Sequence, residues 1–444
     1  MLSVARTIKQ SKMFTKGDTI GVAVSGGIDS MSLLHFLNDN KEKLGIQVVA
    51  INIDHQMREN SSKDTAFVAK YCKDNGIECK KFKVDPLLLV EEQKLTKEEA
   101  ARIARYAVFD NLIEKQVVTK IALGHHLSDQ AETVLLNLFR GAGLAGVSGM
   151  DLIRDSYVRP MLYTDKEEIK EYAEKNKVPF VLDESNLEND FNRNYLRNTV
   201  IPLIKERWQG AENNIVNFSK IAKIDDDYIN SMMNVDAIIK EEGLVKVPIS
   251  YFLYKEPLVN RMLRYCFITL GVEKDIERKH FEIIKSMVHD AINGIKINLP
   301  NKITVHKEYD YITISAKAVK YNFVEKAMKS GVMNFKGIGK IAIKRTYDVN
   351  TEQKDHIVDV LKIPKNAVWR TRQEGDTFTK FGGGTKKLKD YLIDKKVPSR
   401  VRDDLPILVS GHDVLIVAGY DIADSVKVDE TTKSAYLLKY DLNL

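Results

Sequence analysis

The segment SGGIDS at residues 25–30 constrains the fold of this chain more than any other feature. It follows TIGVAVS, an apolar run typical of a buried strand, and a helical pattern covers residues 29–38 after it. Adjacent glycines permit a tight turn and a close approach of the backbone to a bound group. The amides of the turn and the positive end of the helix dipole together attract anions. The segment therefore predicts a strand, a phosphate-binding loop and a helix.

Further apolar runs between helical patterns extend this arrangement over residues 19–120. They are IQVVAINID, ECKKFKV and KIALG, and the helix after the first of them is predicted to begin near Ser61. Short β-rich runs that alternate with helices indicate βαβ units and a parallel sheet. Ligands of such sheets bind beyond the carboxyl ends of the strands. The loops that start at Ser25, Asp54 and His125 all leave strand ends on that side.

The pattern changes after about residue 204. Apolar residues then recur at helical spacing, and short strands are predicted around IKINLP and KITVHKEYDYITI. The last hundred residues alternate β-like runs (KIAIKR, AVWRTR, ILVS, DVLIVAG) with one helix over TKKLKDYLIDK. We predict an α/β fold with a parallel-sheet domain over residues 1–205, a mainly helical middle domain over 206–320 and a small α/β domain over 335–444.

Composition excludes several classes of protein. The 444 residues carry a net charge of +6, a mild basic bias that is compatible with a nucleic-acid partner. Cys72, Cys79 and Cys266 cannot form a disulfide framework and include no C-x-x-C pair, which favours a reducing compartment. No apolar run reaches the roughly 18 residues of a membrane span, and the N-terminus has no signal-peptide pattern. We expect a cytoplasmic protein with no membrane partner.

The side chains of the loop suit a nucleotide bound with a cation. Ser25 and Ser30 offer hydroxyl donors, whereas Asp29 beside phosphates requires a cation between the charges, so we assign it a Mg²⁺-linked role. The loop is not a G-x-x-x-x-G-K-[ST] motif, since no lysine lies in it to hold a γ-phosphate. The competing interpretation is an ordinary strand-to-helix turn with serine and aspartate as caps.

Two stretches after the second strand carry further polar candidates. In NIDHQMRENSSKD (52–64), Asp54 ends the strand and is followed by His55 and Arg58; a plain polar loop is the alternative. In TKEEAARIARYAVF (96–109), Thr96 and Glu99 predict a capping box at a helix start. The predicted packing face of this helix consists of Ala100, Ile103, Ala104 and Ala107. Arg102 and Arg105 share another face, which suggests an anionic partner; a solvated basic edge is the alternative.

The stretch GHHLSDQAET (124–133) ends the fourth strand. Its adjacent histidines are weak evidence for a metal, because neighbours on a strand point to opposite faces. His125 could instead donate to a phosphate or orient a reacting group, and Asp129 and Glu132 also fit a helix-capping arrangement.

Glycines and arginines are dense in the next stretches, FRGAGLAGVSGM (139–150), RPML (159–162) and NRNYLRNTVIP (192–202). This density favours a substrate-facing surface. Arg193 and Arg197, four residues apart, share a face if the segment is helical.

The loop resembles that of the PP-loop ATP pyrophosphatases, whose members cleave ATP between the α- and β-phosphates. The EEAARIARY, GHH and RGAGLAG elements in that order narrow the resemblance to the tRNA(Ile)-lysidine synthetases. The stretch from Gly375 through GTKKLKDYLIDKKVP to Pro398 is similar to that family's C-terminal signature. The resemblance is strong over the first 200 residues and moderate over the last 80, and it covers the middle only by its helical character.

The resemblance implies a ligase that joins free L-lysine to the wobble cytidine of a CAU-anticodon isoleucine tRNA. ATP first adenylates the 2-carbonyl oxygen of the cytosine, and the lysine ε-amine then displaces AMP. ATP and Mg²⁺ are the implied cofactors, and the middle and C-terminal domains are implied to bind tRNA. The residues leave open whether the chain is a homodimer and how lysine is selected, although an acidic residue near the site is expected.

The family's functional residues transfer only to matching positions of this sequence. We expect a catalytic role for Asp29, Arg105, His125 and Arg197. The expected ATP-binding residues are Ser25, Gly26, Gly27, Ile28, Asp29, Ser30 and Asp54, and the expected tRNA-binding residues are Arg140, Arg193, Lys386, Lys387 and Lys389. The sequence departs from the family at Ser128, where an acid is usual, and at Thr377 and Lys380 in the tail, where Arg and Pro are usual.

Positive charge is concentrated near the C-terminus. Residues 361–410 contain twelve Lys and Arg against six Asp and Glu, so their excess of 12 − 6 = +6 equals the net charge of the whole chain. The aromatic residues Trp369, Phe378, Phe381 and Tyr391 are interleaved with these charges. This composition suits contact with an RNA backbone; a solvated lysine face is the alternative.

Three other functions compete with lysidine synthesis. A tRNA thiolase of the same superfamily commonly needs paired cysteines or an iron–sulfur cluster, which the absence of C-x-x-C disfavours. An amide-forming NAD or GMP synthetase has no use for the basic tail. The third alternative is a tRNA-binding protein with a vestigial nucleotide loop, which the intact Ser25, Asp29 and Ser30 disfavour.

Overall fold

The computed structural model describes residues 1–54, 61–87, 90, 96–181, 192–272, 275–289, 293–316, 325–335, 338–347 and 356–442. His55 and Arg58 lie outside these residues. The chain divides into two compact units, Met1–Tyr228 and Ile229–Leu444. The three predicted domain boundaries stay a prediction.

The described strands of the first unit form one six-stranded sheet in the order β3-β2-β1-β4-β6-β5. All neighbours in it pair in parallel except the edge pair β5 and β6. The α/β fold with an N-terminal parallel sheet is confirmed, and the four predicted strands are β1 to β4 of this sheet. The strands are β1 (Thr19–Ala23), β2 (Gln47–Asp54), β3 (Glu78–Lys83), β4 (Lys120–Ala122), β5 (Ile153–Arg154) and β6 (Tyr157–Val158).

Helices cover this sheet, and apolar side chains from both layers form its core. The helix that follows the SGGIDS loop is buried along most of its length, as a helix packed on a parallel sheet must be. The described helices are α1 (Leu2–Ser11), α2 (Ile28–Asp39), α3 (Lys41–Leu44), α4 (Ser61–Asp74), α5 (Lys97–Glu114), α6 (Leu127–Phe139), α7 (Leu144–Val147), α8 (Lys166–Lys175), α9 (Asn192–Tyr195), a π-helical turn (Leu196–Val200), α10 (Ile201–Arg207) and α11 (Ala211–Ser231).

Helix α5 begins as predicted but buries a different face. The Thr96 hydroxyl accepts from the Glu99 amide at 3.2 Å, and the Glu99 carboxylate accepts from the Thr96 amide at 3.1 Å. The predicted packing face is wrong in part, because Ile103 is 43 % exposed whereas Ala101 and Phe109 are buried. The large Phe109 side chain buries more apolar area than any alanine, so it sets the rotation of the helix.

The second unit begins with a five-stranded antiparallel sheet in the order β7-β8-β11-β10-β9. Its strands are β7 (Ile239–Glu241), β8 (Leu244–Pro248), β9 (Lys296–Leu299), β10 (Ile303–Glu308) and β11 (Tyr311–Ser315). Helices α12 (Glu256–Thr269) and α13 (Arg278–His289) share a core with it. The sequence predicted β9–β11 but missed β7 and β8. All three residues of β7 are exposed and show no apolar alternation, whereas β8 does alternate along its five residues.

The rest of the second unit is mixed α/β, as predicted for the C-terminal domain. A seven-stranded and a four-stranded sheet enclose a core that includes Trp369, Phe378 and Tyr391. The helix predicted over TKKLKDYLIDK is shorter, α14 (Leu388–Asp394), because its first three residues pair with β17 as a strand. The strands are β12 (Lys326–Ala327), β13 (Gly331–Phe335), β14 (Gly339–Thr346), β15 (His356–Asp359), β16 (Val368–Arg370), β17 (Thr377–Thr379), β18 (Thr385–Lys387), β19 (Ile407–Ser410), β20 (Asp413–Val417), β21 (Asp421–Ile422) and β22 (Ala435–Leu442).

Helices that could cross a bilayer are absent from the described ranges, where no helix is both long and apolar enough.

Candidate active site

The SGGIDS loop joins the carboxyl end of β1 to the first turn of α2 and is held by its own hydroxyl groups. Gly26 has φ +97°, a conformation that side chains with a Cβ rarely adopt, so this position requires glycine. The Ser25 amide donates to the Ser30 hydroxyl at 3.2 Å, and the Ser30 hydroxyl donates to the Gly27 carbonyl at 3.0 Å. These bonds shape a compact turn at the positive end of α2, where Ile28 is the first helical residue.

Neighbouring strands support the loop from both sides. The buried Asn52 amide of β2 donates to the Val24 carbonyl at 2.8 Å, which fixes the chain just before Ser25. On the other side, Gly124 follows β4 and packs against the start of α2, since a Cβ at this position would touch the Ser30 backbone at 3.4 Å. Asp54 is buried and ends β2, as predicted.

Asp29 lies in the first turn of α2, and its carboxylate faces a lysine and a histidine. The Lys166 ammonium, at the first residue of α8, forms a short ion pair with Asp29 Oδ1. His126 Nε2 lies 3.9 Å from Asp29 Oδ2 and 3.5 Å from Asp129 Oδ2. The SGGIDS loop contains no lysine. The lysine beside it, Lys166, lies in α8, 137 residues after Asp29.

Two acids of α6 bind two arginines of the segment that contains the π-helical turn. Arg197 donates from Nε to Glu132 Oε1 at 2.6 Å and from Nη2 to Glu132 Oε2 at 2.8 Å and to Asp129 Oδ1 at 2.9 Å. Arg193 donates from Nε to Glu132 Oε2 at 2.8 Å. The predicted common face of the two arginines is therefore present. We call these four residues the acid–arginine cluster.

Electrostatic coupling joins the acid–arginine cluster to the loop. Burial lowers the pKa of Arg197, but Glu132, Asp129 and also Asp29 outweigh burial and raise that pKa above its ordinary value. Burial raises the pKa of Asp129, but interactions with its neighbours, foremost His126 and Arg193, outweigh burial and lower that pKa to about 2. Both groups are thus held in their charged forms at neutral pH.

His125 is neutral at physiological pH. Burial lowers its pKa to about 4; Asp129 opposes this effect, whereas Arg159, Arg193 and Arg105 add to it. Its Nδ1 is buried and has no hydrogen-bond partner among the described residues. The expectation that the two histidines point to opposite faces does not hold, because β4 ends at Ala122 and both rings interact with Asp129.

The structure thus brings the four predicted catalytic residues into one electrostatic neighbourhood. When the two histidines are left out of the count, its cations exceed its anions by five to three, a difference of 5 − 3 = +2. An excess of positive charge suits an anionic nucleotide. The cations are Lys166, Arg105, Arg159, Arg193 and Arg197, and the anions are Asp29, Asp129 and Glu132.

The remaining predicted tRNA-binding residues lie apart from this neighbourhood or in the second unit. Arg140 is exposed at the end of α6. Lys386 and Lys387 are exposed on β18, and Lys389 is exposed on α14; Lys386 pairs with Asp394 at 2.8 Å. Their predicted contact with tRNA stays a prediction.

The aromatic residues of the tail do not support the predicted RNA surface. Trp369, Phe378 and Tyr391 are almost fully buried in the core, whereas Phe381 is 52 % exposed. Several of the basic residues are also neutralised; Arg370, for example, binds Asp376 with bonds of 2.6 and 2.8 Å. The tail therefore offers solvent a smaller set of lysines than its composition suggests.

Sequence reasoning missed Lys166, His126 and Asn52 as members of the site. Lys166 follows Asp165, whose side chain caps α8 by accepting from the Glu167 amide at 3.0 Å. That capping pattern, TDKE after an apolar strand, could have placed Lys166 at the carboxyl edge of the sheet. His126 lay in the GHH motif but was passed over in favour of His125.

The donors around Asp29 fit Mg²⁺ bound mainly through a nucleotide. Mg²⁺ commonly takes one or two carboxylates together with phosphate oxygens and waters. Asp29 provides such a carboxylate beside the loop, and no cluster of three His, Cys, Asp or Glu suited to a metal occurs within the described ranges.

Comparison with solved structures gives only weak likenesses. The U34-tRNA thiolase NcsA from Methanococcus maripaludis covers 50 % of this chain and 78 % of its own, with 16 % identity and a TM-score of 0.43. A crystal structure of a TILS C-terminal domain covers 27 % of this chain and 98 % of its own, with 24 % identity and a TM-score of 0.25. Neither likeness carries an argument about function.

Comparison of the sequence is decisive. The PP-loop domain family matches residues 2–204, and the TilS substrate C-terminal domain family matches residues 367–438. The tRNA(Ile)-lysidine synthase of Clostridioides difficile strain 630 is 32 % identical over 99 % of this chain and 98 % of the relative. That of Thermotoga maritima is 30 % identical over 96 % and 97 %. Because the similarity spans nearly the whole length of both chains, this protein belongs to the family of tRNA(Ile)-lysidine synthases, which are ATP-using PP-loop ligases.

Proposed function

We propose that this enzyme converts the wobble cytidine of a CAU-anticodon isoleucine tRNA to lysidine. In the first step, the cytosine O2 attacks the α-phosphorus of ATP, the bond to the bridging oxygen breaks, and pyrophosphate leaves. In the second, the ε-amine of free lysine attacks C2 and AMP leaves with the oxygen. The observation that carries the proposal is the convergence of Asp29, Lys166 and the acid–arginine cluster beside the SGGIDS loop.

The loop and Lys166 act on the leaving group. The amides at the start of α2 bind the β- and γ-phosphates, since a helix N-terminus and a turn with a left-handed glycine form an anion site. Lys166 neutralises Asp29 before ATP binds and lies within reach of the phosphates afterwards. Asp29 would hold Mg²⁺, which when bound offsets the charge that develops on pyrophosphate.

Arginines act at the α-phosphate. The guanidiniums of Arg197 and Arg105 provide positive charge for the five-coordinate phosphorus, where donors aimed at developing negative charge lower the barrier. Glu132 and Asp129 hold Arg197 in place with three bonds of 2.6 to 2.9 Å before any substrate arrives. The segment therefore does not need to reorganise during the reaction.

His125 orients a reactant and does not carry a proton at neutral pH. An imidazole with a pKa of about 4 is a weak base, and efficient general bases have a pKa near the working pH. A neutral ring adds no repulsion toward the ammonium of an incoming lysine. Its unpartnered Nδ1 is available for a hydrogen bond to a substrate.

The anticodon base enters the site without melting a duplex. A base in an anticodon loop is already single-stranded, so turning it into a pocket costs little. The exposed lysines of the second unit, including Lys387 and Lys389, would bind the tRNA backbone away from the anticodon.

The test is incorporation of radiolabelled lysine into tRNA. Purified protein, ATP and Mg²⁺ are incubated with unmodified isoleucine tRNA bearing CAU, and in parallel with methionine tRNA of the same anticodon. Asp29→Ala should abolish label, whereas Asp39→Ala, an exposed aspartate at the other end of α2, should not. Acid-stable label on the isoleucine tRNA alone is the expected result.

Other outcomes identify which step of the proposal is wrong. Turnover of ATP to AMP with that tRNA but without label would keep adenylation and reject lysine as the nucleophile. Neither label nor AMP would reject the catalytic function and leave the tRNA-binding alternative.

A further inference from the structure

A cavity of about 480 Å³ lies in the first unit, between the segment before β5 and helix α11. The cavity is large enough for a small ligand, since ligand sites commonly span 300–1,000 Å³. Hydrogen bonds join one wall of the cavity to α6, the helix that carries the two acids of the acid–arginine cluster. Gln130 of α6 donates to the Ser148 carbonyl at 3.2 Å and to the Met150 carbonyl at 3.1 Å, and accepts from the Met150 amide at 2.8 Å.

Lys220 is a partly buried cation at this cavity. Its ammonium lies 4.0 Å from the centre of the Tyr163 ring, and burial lowers its pKa. It forms no ion pair with a carboxylate in the part of the chain that the structure describes, and burial alone shifts its pKa. A desolvated ammonium without an anion is costly unless a ligand provides one.

Lys220 makes one side of the cavity positive, whereas another side is apolar. The second lining lysine, Lys223, is neutralised by Asp151 at 3.2 Å and Asp227 at 3.0 Å. Ile153 and Ile224 also line the cavity and are 40 % and 67 % exposed, which leaves apolar surface unburied at its rim. An anion attached to a group with an apolar face, such as a nucleobase, matches this combination.

We propose that the cavity binds one nucleotide of the tRNA, with its phosphate on Lys220 and its base against Ile153 and Ile224. The Tyr163 face is already covered by Lys220, so the base contacts the isoleucines and does not stack on the ring. The proposal rests on tRNA being the substrate. Because Gln130 adjoins Asp129 on α6, a nucleotide held here would position the RNA strand relative to the acid–arginine cluster.

The first test compares tRNA affinity of the full-length chain with Lys220→Gln, Lys220→Arg and Lys43→Gln, across a range of salt concentrations. Lys43 is an exposed control in α3, at the opposite edge of the sheet from the loop. Lys220→Gln should weaken tRNA binding about three- to five-fold near physiological salt and reduce the salt slope by about one, as expected for one lost phosphate contact. Lys220→Arg should retain both values, since it keeps the charge.

A second pair of variants does not depend on a partly buried residue. Ile224→Glu places a negative charge at the rim, whereas Ile221→Glu places the same charge one turn earlier on α11, at a residue that is 59 % exposed and does not line the cavity. Only Ile224→Glu should weaken tRNA binding. Equal loss with both variants would overturn the proposal, because the effect would then belong to the helix surface.

Affinities for ATP and for free lysine, measured on the same variants, separate the sources of the bound group. The affinities for ATP and for lysine should both equal those of the wild-type chain in every variant. Weaker binding of ATP or lysine by Lys220→Gln with unchanged tRNA affinity would overturn the proposal in favour of a free nucleotide or amino acid. A wild-type chain that does not bind tRNA would instead refute the proposed function, whereas normal wild-type binding with no effect at Lys220 and Ile224 refutes only the cavity.

Discussion

Replacement of Glu132 by glutamine should destabilise the first unit by about 2–3 kcal/mol. The Glu132 side chain is 1 % exposed and accepts three charge-assisted bonds from Arg193 and Arg197, whose side chains are 30 % and 34 % exposed. Loss of one partner of a buried ion pair costs roughly 3–5 kcal/mol. The expected cost of Glu132→Gln lies at or below the lower end of that range, because water reaches the arginines and the glutamine oxygen still accepts a hydrogen bond.

Thermal unfolding of the full-length chain measures this cost. The transition of the first unit is the one that ATP shifts upward, since a ligand stabilises the unit to which it binds. A loss of about 2–3 kcal/mol lowers the Tm of a unit of this size by roughly 4–12 °C. Glu171→Gln, an exposed glutamate on α8, should change stability by less than about 0.5 kcal/mol.

A double-mutant cycle decides whether the ion pairs cause the effect. Glu132→Gln combined with Arg197→Met should cost less than the sum of the two single changes, with a coupling of about 1–3 kcal/mol. Additive effects, or a Tm for Glu132→Gln equal to that of the Glu171 control, would refute the reasoning.

Three further predictions concern the loop and its neighbours. Lys166→Met should weaken ATP binding about ten-fold, because Lys166 pairs with Asp29. The control Lys170→Met changes an exposed lysine of α8 that pairs with Glu167 and should leave ATP binding unchanged. Equal ATP affinities of the two variants would contradict this prediction. Gly26→Ala should cost about 1–3 kcal/mol and impair ATP binding, since φ +97° strains a residue with a Cβ; an unchanged Tm would count against it. Lowering the pH from 7.5 to 5 should cost wild type up to about 2 kcal/mol of stability that the His125→Asn variant keeps. The reason is that His125 binds a proton below its ordinary pKa of 6.5 in the unfolded chain, whereas its pKa in the folded chain is about 4. Parallel stability curves for the two proteins would show that His125 is not buried neutral.

The sequence predicted the parallel sheet well because buried strands are continuous apolar runs with loops at both ends. The positions of β1, β2 and the SGGIDS loop follow directly from that pattern. The buried face of helix α5 was harder to predict, because alanines occur on several faces and the burial of Phe109 decides between them. Strand β7 was missed because its residues are exposed and show no apolar alternation. Buried aromatics in the tail looked like RNA contacts because composition does not distinguish core from surface.

The candidate site was predictable only where its residues share a motif. Asp29 and His125 were found from local patterns. The pairing of Lys166 with Asp29, or of Arg197 with Glu132, joins residues 137 and 65 positions apart. No periodicity connects such residues, because their proximity depends on how the strands order in the sheet.

The same long separations have a consequence for synthesis of the protein on the ribosome. The phosphate loop is synthesised 137 residues before its lysine, Lys166, and the arginine segment at residues 192–200 follows later still. Chains are made from the N-terminus, and contacts of high sequence separation form late. We therefore expect nascent chains that end before residue 166 to lack ATP affinity, and the capacity to bind nucleotide to arise only when the last third of the first unit has left the ribosome.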